Sequence, residues 1–112
     1  MTGVRLSYGF GIEKDKNGRY ISPIVVTAAM REIEKRAVGL FGGFALRPVQ
    51  GGRVNSVGQL VEERGYSLEI VIPNNNTVTL KETREFGQLI KQLLNQEAIV
   101  FTVSQCITAE IG

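Results

Sequence analysis

Two capped helix starts, each flanked by strand-like alternation, constrain this chain more than anything else in it. At Ser22-Pro23 the serine can satisfy an exposed helical N–H, and proline at the first helical position gives up no needed donor. Val26, Met30, Ile33 and Ala37 then recur at helical spacing, with Thr27, Arg31, Glu34 and Lys35 opposite and Glu32 placed to pair with Arg36. Gly39 is the expected stop. The second start, Thr79-Leu80-Lys81-Glu82, has the spacing of a capping box. It leads into a stripe of Phe86, Ile90, Leu93 and Leu94, with Lys81, Glu85, Gln88 and Gln92 facing water.

Strand-period segments surround these helices. Ser7 to Ile12 alternates large and small residues, and Lys14 to Gly18 reads as a solvated loop. Phe44 to Val49 alternates again, and Gln50-Gly51-Gly52-Arg53 reads as a hairpin turn because paired glycines suit positive φ. Residues 58–65 fit a short strand or a helical turn, the flanking glycines favouring the strand. Tyr66 to Ile72 is β-branched and aromatic and stops at Pro73 and three asparagines; Ala98 to Ser104 is the last strand, with Ile107 to Gly112 as its extension.

The order is therefore strand, helix, strand, then, past an inserted hairpin arm, strand, helix, strand. That is the α+β, ferredoxin-like split β-α-β, with a four-stranded antiparallel sheet and two helices on one face. Side-chain parity agrees: Tyr8, Phe10 and Ile12, Phe44 and Leu46, Leu68, Ile70 and Ile72, and Ile99, Phe101 and Val103 give every strand one apolar face to bury under the helices. The 112 residues suit a single domain spanning 1–112.

Composition narrows the chemistry. There is no histidine, which removes the commonest general base and every Ser-His or Cys-His nucleophile pair. The one cysteine, Cys106, excludes an internal disulfide and a cysteine zinc site, and no carboxylates stand at ligand spacing, so neither metal nor cofactor is expected. Cys106 has no cation or histidine beside it in sequence and reads as an inert, semi-buried thiol. Gly39 to Gly43 and Gly51-Gly52 match no phosphate-binding pattern, because no Lys-Ser follows and no strand-glycine-helix order exists. No apolar run reaches membrane-spanning length and no signal-peptide core stands at Met1 to Arg5, so a cytoplasmic protein away from the membrane is expected.

The face left bare by the helices displays, by parity, Gly9 and Gly11, Ala45 and Arg47, Glu69 and Val71, and Thr102 and Ser104. Arg47 and Glu69 can form a cross-strand ion pair, and the glycines leave a hollow expected beside Thr102 and Ser104. This face offers no aromatics on which bases could stack, and the net charge of +2 is small, so nucleic acid is not the expected partner. Three uses remain: plain hydration, packing against a twin subunit, or holding a small ligand. Glu62 and Glu63 are adjacent and, if extended, point to opposite faces, so they cannot pair with each other.

The stretches Gly42 to Leu46, Gln50-Gly51-Gly52, Gly58 to Glu63 and Ser67 to Pro73 together resemble a family of small bacterial ferredoxin-like proteins of unknown function. That family often carries a tryptophan after the glycine turn, where this chain has Arg53 and Val54. The chain also resembles single-domain proteins carried on mobile gene cassettes. The resemblance implies the fold and supplies no activity. The function expected is a self-associating module, a homodimer, that binds a small molecule or a protein partner. Its ligand or interface candidates are Gly9, Gly11, Arg47, Glu63, Tyr66, Glu69, Thr102 and Ser104. The rival is a cofactor-free lyase, isomerase or oxygenase with a pocket drawn from Tyr8, Tyr20, Arg47, Glu63 and Tyr66.

Overall fold

The computed structural model describes residues 2–54, 56–73, 78–109 and 111, with the backbone alone at Arg53. Its elements run β1 (Thr2–Gly11), α1 (Pro23–Phe41), β2 (Ala45–Val54), β3 (Leu60–Pro73), α2 (Leu80–Leu93) and β4 (Val100–Ile107). The sheet order is β2-β3-β1-β4 with every neighbouring pair antiparallel. This is the expected ferredoxin-like α+β architecture.

Both helices begin where their caps place them. Ser22 Oγ accepts the Ile24 N–H at 3.3 Å, and Thr79 Oγ1 accepts the Glu82 N–H at 3.1 Å. Helix α1 ends later than Gly39. It continues to Phe41, which is buried, and stops at Gly42, whose φ of 85° is the left-handed conformation glycine adopts without steric cost. Burying one more phenylalanine outweighs a mid-helix glycine, which costs about 1 kcal/mol.

The core lies between the helices and one side of β1 and β3. Leu6, Tyr8 and Phe10 alternate with Leu68, Ile70 and Ile72 to build its floor, and Ala29, Met30, Ile33, Ala37, Phe41, Phe86, Ile90 and Leu94 close it from above. Phe86 meets Tyr8 and Phe41 edge-on, with ring centroids 5.1 and 5.4 Å apart. The Tyr8 hydroxyl donates to the Thr83 carbonyl at 2.8 Å. Burial raises its pKa, so it stays a protonated donor.

Three sequence expectations are corrected. Gln50-Gly51-Gly52-Arg53 is strand, with Gly51 opposite Glu63 and Gly52 opposite Glu62. Neither glycine has positive φ, and the turn falls instead around Gly58, at φ 82°. Extending the ladder pairs backbone groups that a turn at the diglycine would leave to solvent. The hairpin arm thus exists, as the outer halves of β2 and β3 continuing past the end of β1. Residues 60–65 are strand, as the flanking glycines favoured, and run on into β3, whereas the first strand begins at Thr2, ahead of the expected Ser7. Finally, Phe101 and Val103 have the expected parity, opposite Tyr8 and Leu6, yet are 40% and 58% exposed. The helices cover β1 and β3 and leave β4 at the rim.

Ile33 is fully buried where α1 meets the sheet. Ile33→Ala should lower unfolding stability by about 3 kcal/mol in urea titration, with the slope unchanged. A loss under about 1 kcal/mol would show that α1 is not docked as described.

Candidate functional site

On the bare side of the sheet, β1 outruns β4 by two residues: Val100, the first of β4, sits opposite Gly9, and Gly11 has a neighbour only in Gly65 of β3. A hollow of about 580 Å³ fills this notch. Gly9, Gly11, Gly51 and Gly65 floor it with bare backbone, and Val49, Val61, Ile99 and Val100 supply apolar walls. The segment after β1 (Lys14 to Lys16, and Gly18) and the segment before β4 (Gln96 to Ile99) complete the rim. That volume is within the range of small-molecule sites.

Glycine at Gly65 is a requirement of close approach between strands, and glycine at Gly11 makes room for a neighbouring side chain. A Cβ on Gly65 would collide with the Phe10 carbonyl oxygen, and one on Gly11 would overlap the carboxylate of Glu63. Glu63 lies half-buried across Gly11, and its Oε1 also stands 3.4 Å from the Lys14 backbone N–H.

The rim is tied down by its own turn chemistry. Asp15 Oδ1 accepts the N–H groups of Asn17 at 2.8 Å and Arg19 at 3.0 Å, folding residues 15–19 around itself. The Lys16 N–H donates to the Asn95 carbonyl, and Gln96 Nε2 donates to the Lys14 carbonyl, both at 2.8 Å. The two rim segments therefore hold each other. The Arg19 backbone N–H, then that of Asn17 and the Asn95 amide, hold the Asp15 carboxyl below the ordinary aspartate range.

Of the eight candidate residues, Gly9, Gly11 and Glu63 line the hollow. Arg47 and Glu69 form the expected pair elsewhere on the same face, with Arg47 Nη2 at 3.0 and 2.9 Å from the two carboxylate oxygens. The pairing is diagonal, since Arg47 stands opposite Ser67 and Glu69 opposite Ala45. The Arg47 side chain is 67% exposed, which places the pair among those worth under about 1 kcal/mol. Thr102 and Ser104 are on the bare face opposite Ser7 and Arg5, further along β4 than the hollow. Tyr66 is on the helix side, its ring 6.3 Å from that of Phe10. The hollow thus adjoins Val100 instead of Thr102 and Ser104, because β4 starts late.

The rival pocket of Tyr8, Tyr20, Arg47, Glu63 and Tyr66 is not assembled. Tyr8 is committed to Thr83, Tyr20 stacks under the Lys14 ammonium at 5.1 Å, and only Glu63 reaches the hollow. Among the described residues no cluster of three or more His, Cys, Asp or Glu side chains could hold a metal. Cys106 is a half-buried free thiol opposite Gly3, away from the hollow. Sequence reasoning missed Gly51 and Gly65 as floor and Gln96 as rim. Glycine density was the available signal, but only register places Gly65 beside Gly11.

No family model matches the chain, and no curated protein matches it. Among solved structures, a phage SAM lyase in complex with S-methyl-5'-thioadenosine superposes with a TM-score of 0.64 at 18% identity, covering 91% of this chain and 80% of that one. The same kind of enzyme in its apo state gives 0.65 at 20% identity, covering 93% and 81%. CutA from Synechococcus elongatus gives 0.57 at 13% identity, covering 94% and 78%. At these identities the likeness is one of fold. No helix among the described residues is long and apolar enough to cross a membrane.

Gly65→Ala should destabilise the protein by about 2 kcal/mol or more, whereas Gly51→Ala, whose Cβ meets open space, should stay within about 0.5 kcal/mol. Equal effects would disprove the close approach. The lowered Asp15 pKa means that its stabilisation is complete above the unfolded aspartate value of 3.8 and is lost as pH falls through the lower folded value. Asp15→Asn should therefore flatten the acid limb of the stability-pH curve; an unchanged limb would place the lost protons elsewhere.

Proposed function

We propose that this chain is a self-associating module, assembling as a homodimer, that holds a small organic ligand in the glycine-floored hollow. One observation carries the ligand half: a roomy notch on the helix-free face, floored by bare backbone, over which the half-buried Glu63 carboxylate lies. Flat backbone lets a ligand ring approach the sheet closely, apolar walls desolvate it, and one charged group orients it.

The edges of the sheet support self-association. Strand β2 carries Arg47 and Pro48, residues that discourage a further strand from pairing. Strand β4, Val100–Ile107, has no charged residue and no proline. It exposes Val100, Phe101, Val103 and Ile107. An apolar, uncharged outer edge of this kind invites a second copy of the chain to add alongside it.

A lyase reading is the second possibility, favoured by the fold shared with a phage SAM lyase that holds S-methyl-5'-thioadenosine. Against it stands the scatter of the tyrosine and arginine side chains away from Glu63. Catalysis needs titratable groups that converge on one reacting atom.

Sedimentation velocity across a wide dilution series should show a dimer that dissociates, and Val103→Lys should shift the distribution to monomer. A monomer at every concentration would remove the self-association. Incubation with S-adenosylmethionine should release no S-methyl-5'-thioadenosine; sustained release would replace the module reading with the lyase one.

A further inference from the structure

The charged groups lining the hollow are not equivalent in burial or in their contacts. Asp15 is consumed by the N–H groups of its own turn. The Lys14 ammonium rests over the Tyr20 ring, 5.1 Å from its centroid. Lys16 and Glu97 are exposed, and so is Arg64, which by strand alternation projects to the face opposite Glu63. Glu63 remains. It is half-buried, it lies on the floor against Gly11, and it takes part in none of the ion pairs formed by the described residues, which are Glu32–Arg36, Arg47–Glu69 and Lys81–Glu85. Among the described residues it accepts one hydrogen bond, from the Lys14 backbone, and that bond is long at 3.4 Å.

From this we infer that the hollow selects an organic cation with a flat body, such as an amidinium or guanidinium on a ring, and that Glu63 is the counter-ion that selects it. The inference rests on the hollow being a ligand site. A partly desolvated carboxylate with spare acceptor capacity gains most from a ligand that brings charged N–H donors, and the planar fork of an amidinium matches its two oxygens. An anion would meet Glu63 at short range in a partly desolvated site and is disfavoured. The flat body follows from the floor, where Gly9 and Gly65 raise no side chain between the ring and the sheet, while the Glu63 carboxylate stands over Gly11 at one end.

Benzamidinium, benzamide and benzoate share one shape and differ in charge, so they separate these cases. Titrated into the labelled full chain, benzamidinium should move the Gly9, Gly11 and Gly65 amide signals and bind at least about fivefold more tightly than benzamide. Benzoate should be weakest. Glu63→Gln should erase the preference for the cation while benzamide binding persists, and Glu63→Asp should keep part of it. Glu62→Gln changes net charge identically on the neighbouring residue and should leave the preference intact, which separates a local counter-ion from the general field. Equal affinity for benzamide and benzamidinium, or a preference that survives Glu63→Gln, overturns the selection by charge and leaves the hollow as a site. Silence of all three probes at these glycines removes the ligand site itself, and this inference with it.

Discussion

Everything distinctive in this structure depends on where two amphipathic helices bury their apolar stripes. Both settle on the same side of the sheet, over the row of Leu6, Tyr8 and Phe10 and the row of Leu68, Ile70 and Ile72. Tyr8 is the fixed point: its ring contacts Phe86 from α2 and Phe101 from β4, and its hydroxyl is bound to the Thr83 carbonyl. Because the side chains of a strand alternate, committing these residues to one side leaves Gly9, Gly11, Gly65 and Glu63 on the other. The bare face is thus a consequence of the core.

The same commitment explains the uneven edges. The helices cover β1 and β3 and reach β4 only at its start, where partly buried Ile99 packs beside Gly87 of α2. Phe101 and Val103 have core parity without core cover. Strand β2 instead projects outward with β3 as an arm, so the molecule is elongated, at 46 × 28 × 28 Å. The hollow forms where these two departures meet: β4 begins late and the arm continues past β1. Its floor survives because Gly65 lets β3 approach the Phe10 carbonyl of β1 at a point where a Cβ would collide.

The elements most legible in the sequence were those set by local chemistry. The caps Ser22 and Thr79 marked the helix starts, and period-two alternation marked the strands and their buried sides. The diglycine at Gly51-Gly52 misled, because glycine permits a turn without requiring one, and pairing with Glu62 and Glu63 keeps it extended. Glu63 and the two glycines of β1 were visible as candidates through parity. Their meeting with Gly65, Val100 and the clamp between Lys14 and Gln96 was not, since those contacts join residues far apart in the chain.

The sequence by itself determined the number and kind of elements, the apolar side of each strand, and the absence of histidine-based chemistry, because these follow from neighbours along the chain. Tertiary structure alone decided that β4 starts opposite Gly9, that the rim segments lock through Asn95 and Gln96, and that Glu63 ends half-buried and outside the ion pairs formed by the described residues. Register and docking are set by packing summed over the whole core. A one-residue shift in either would leave every local preference satisfied and abolish the hollow.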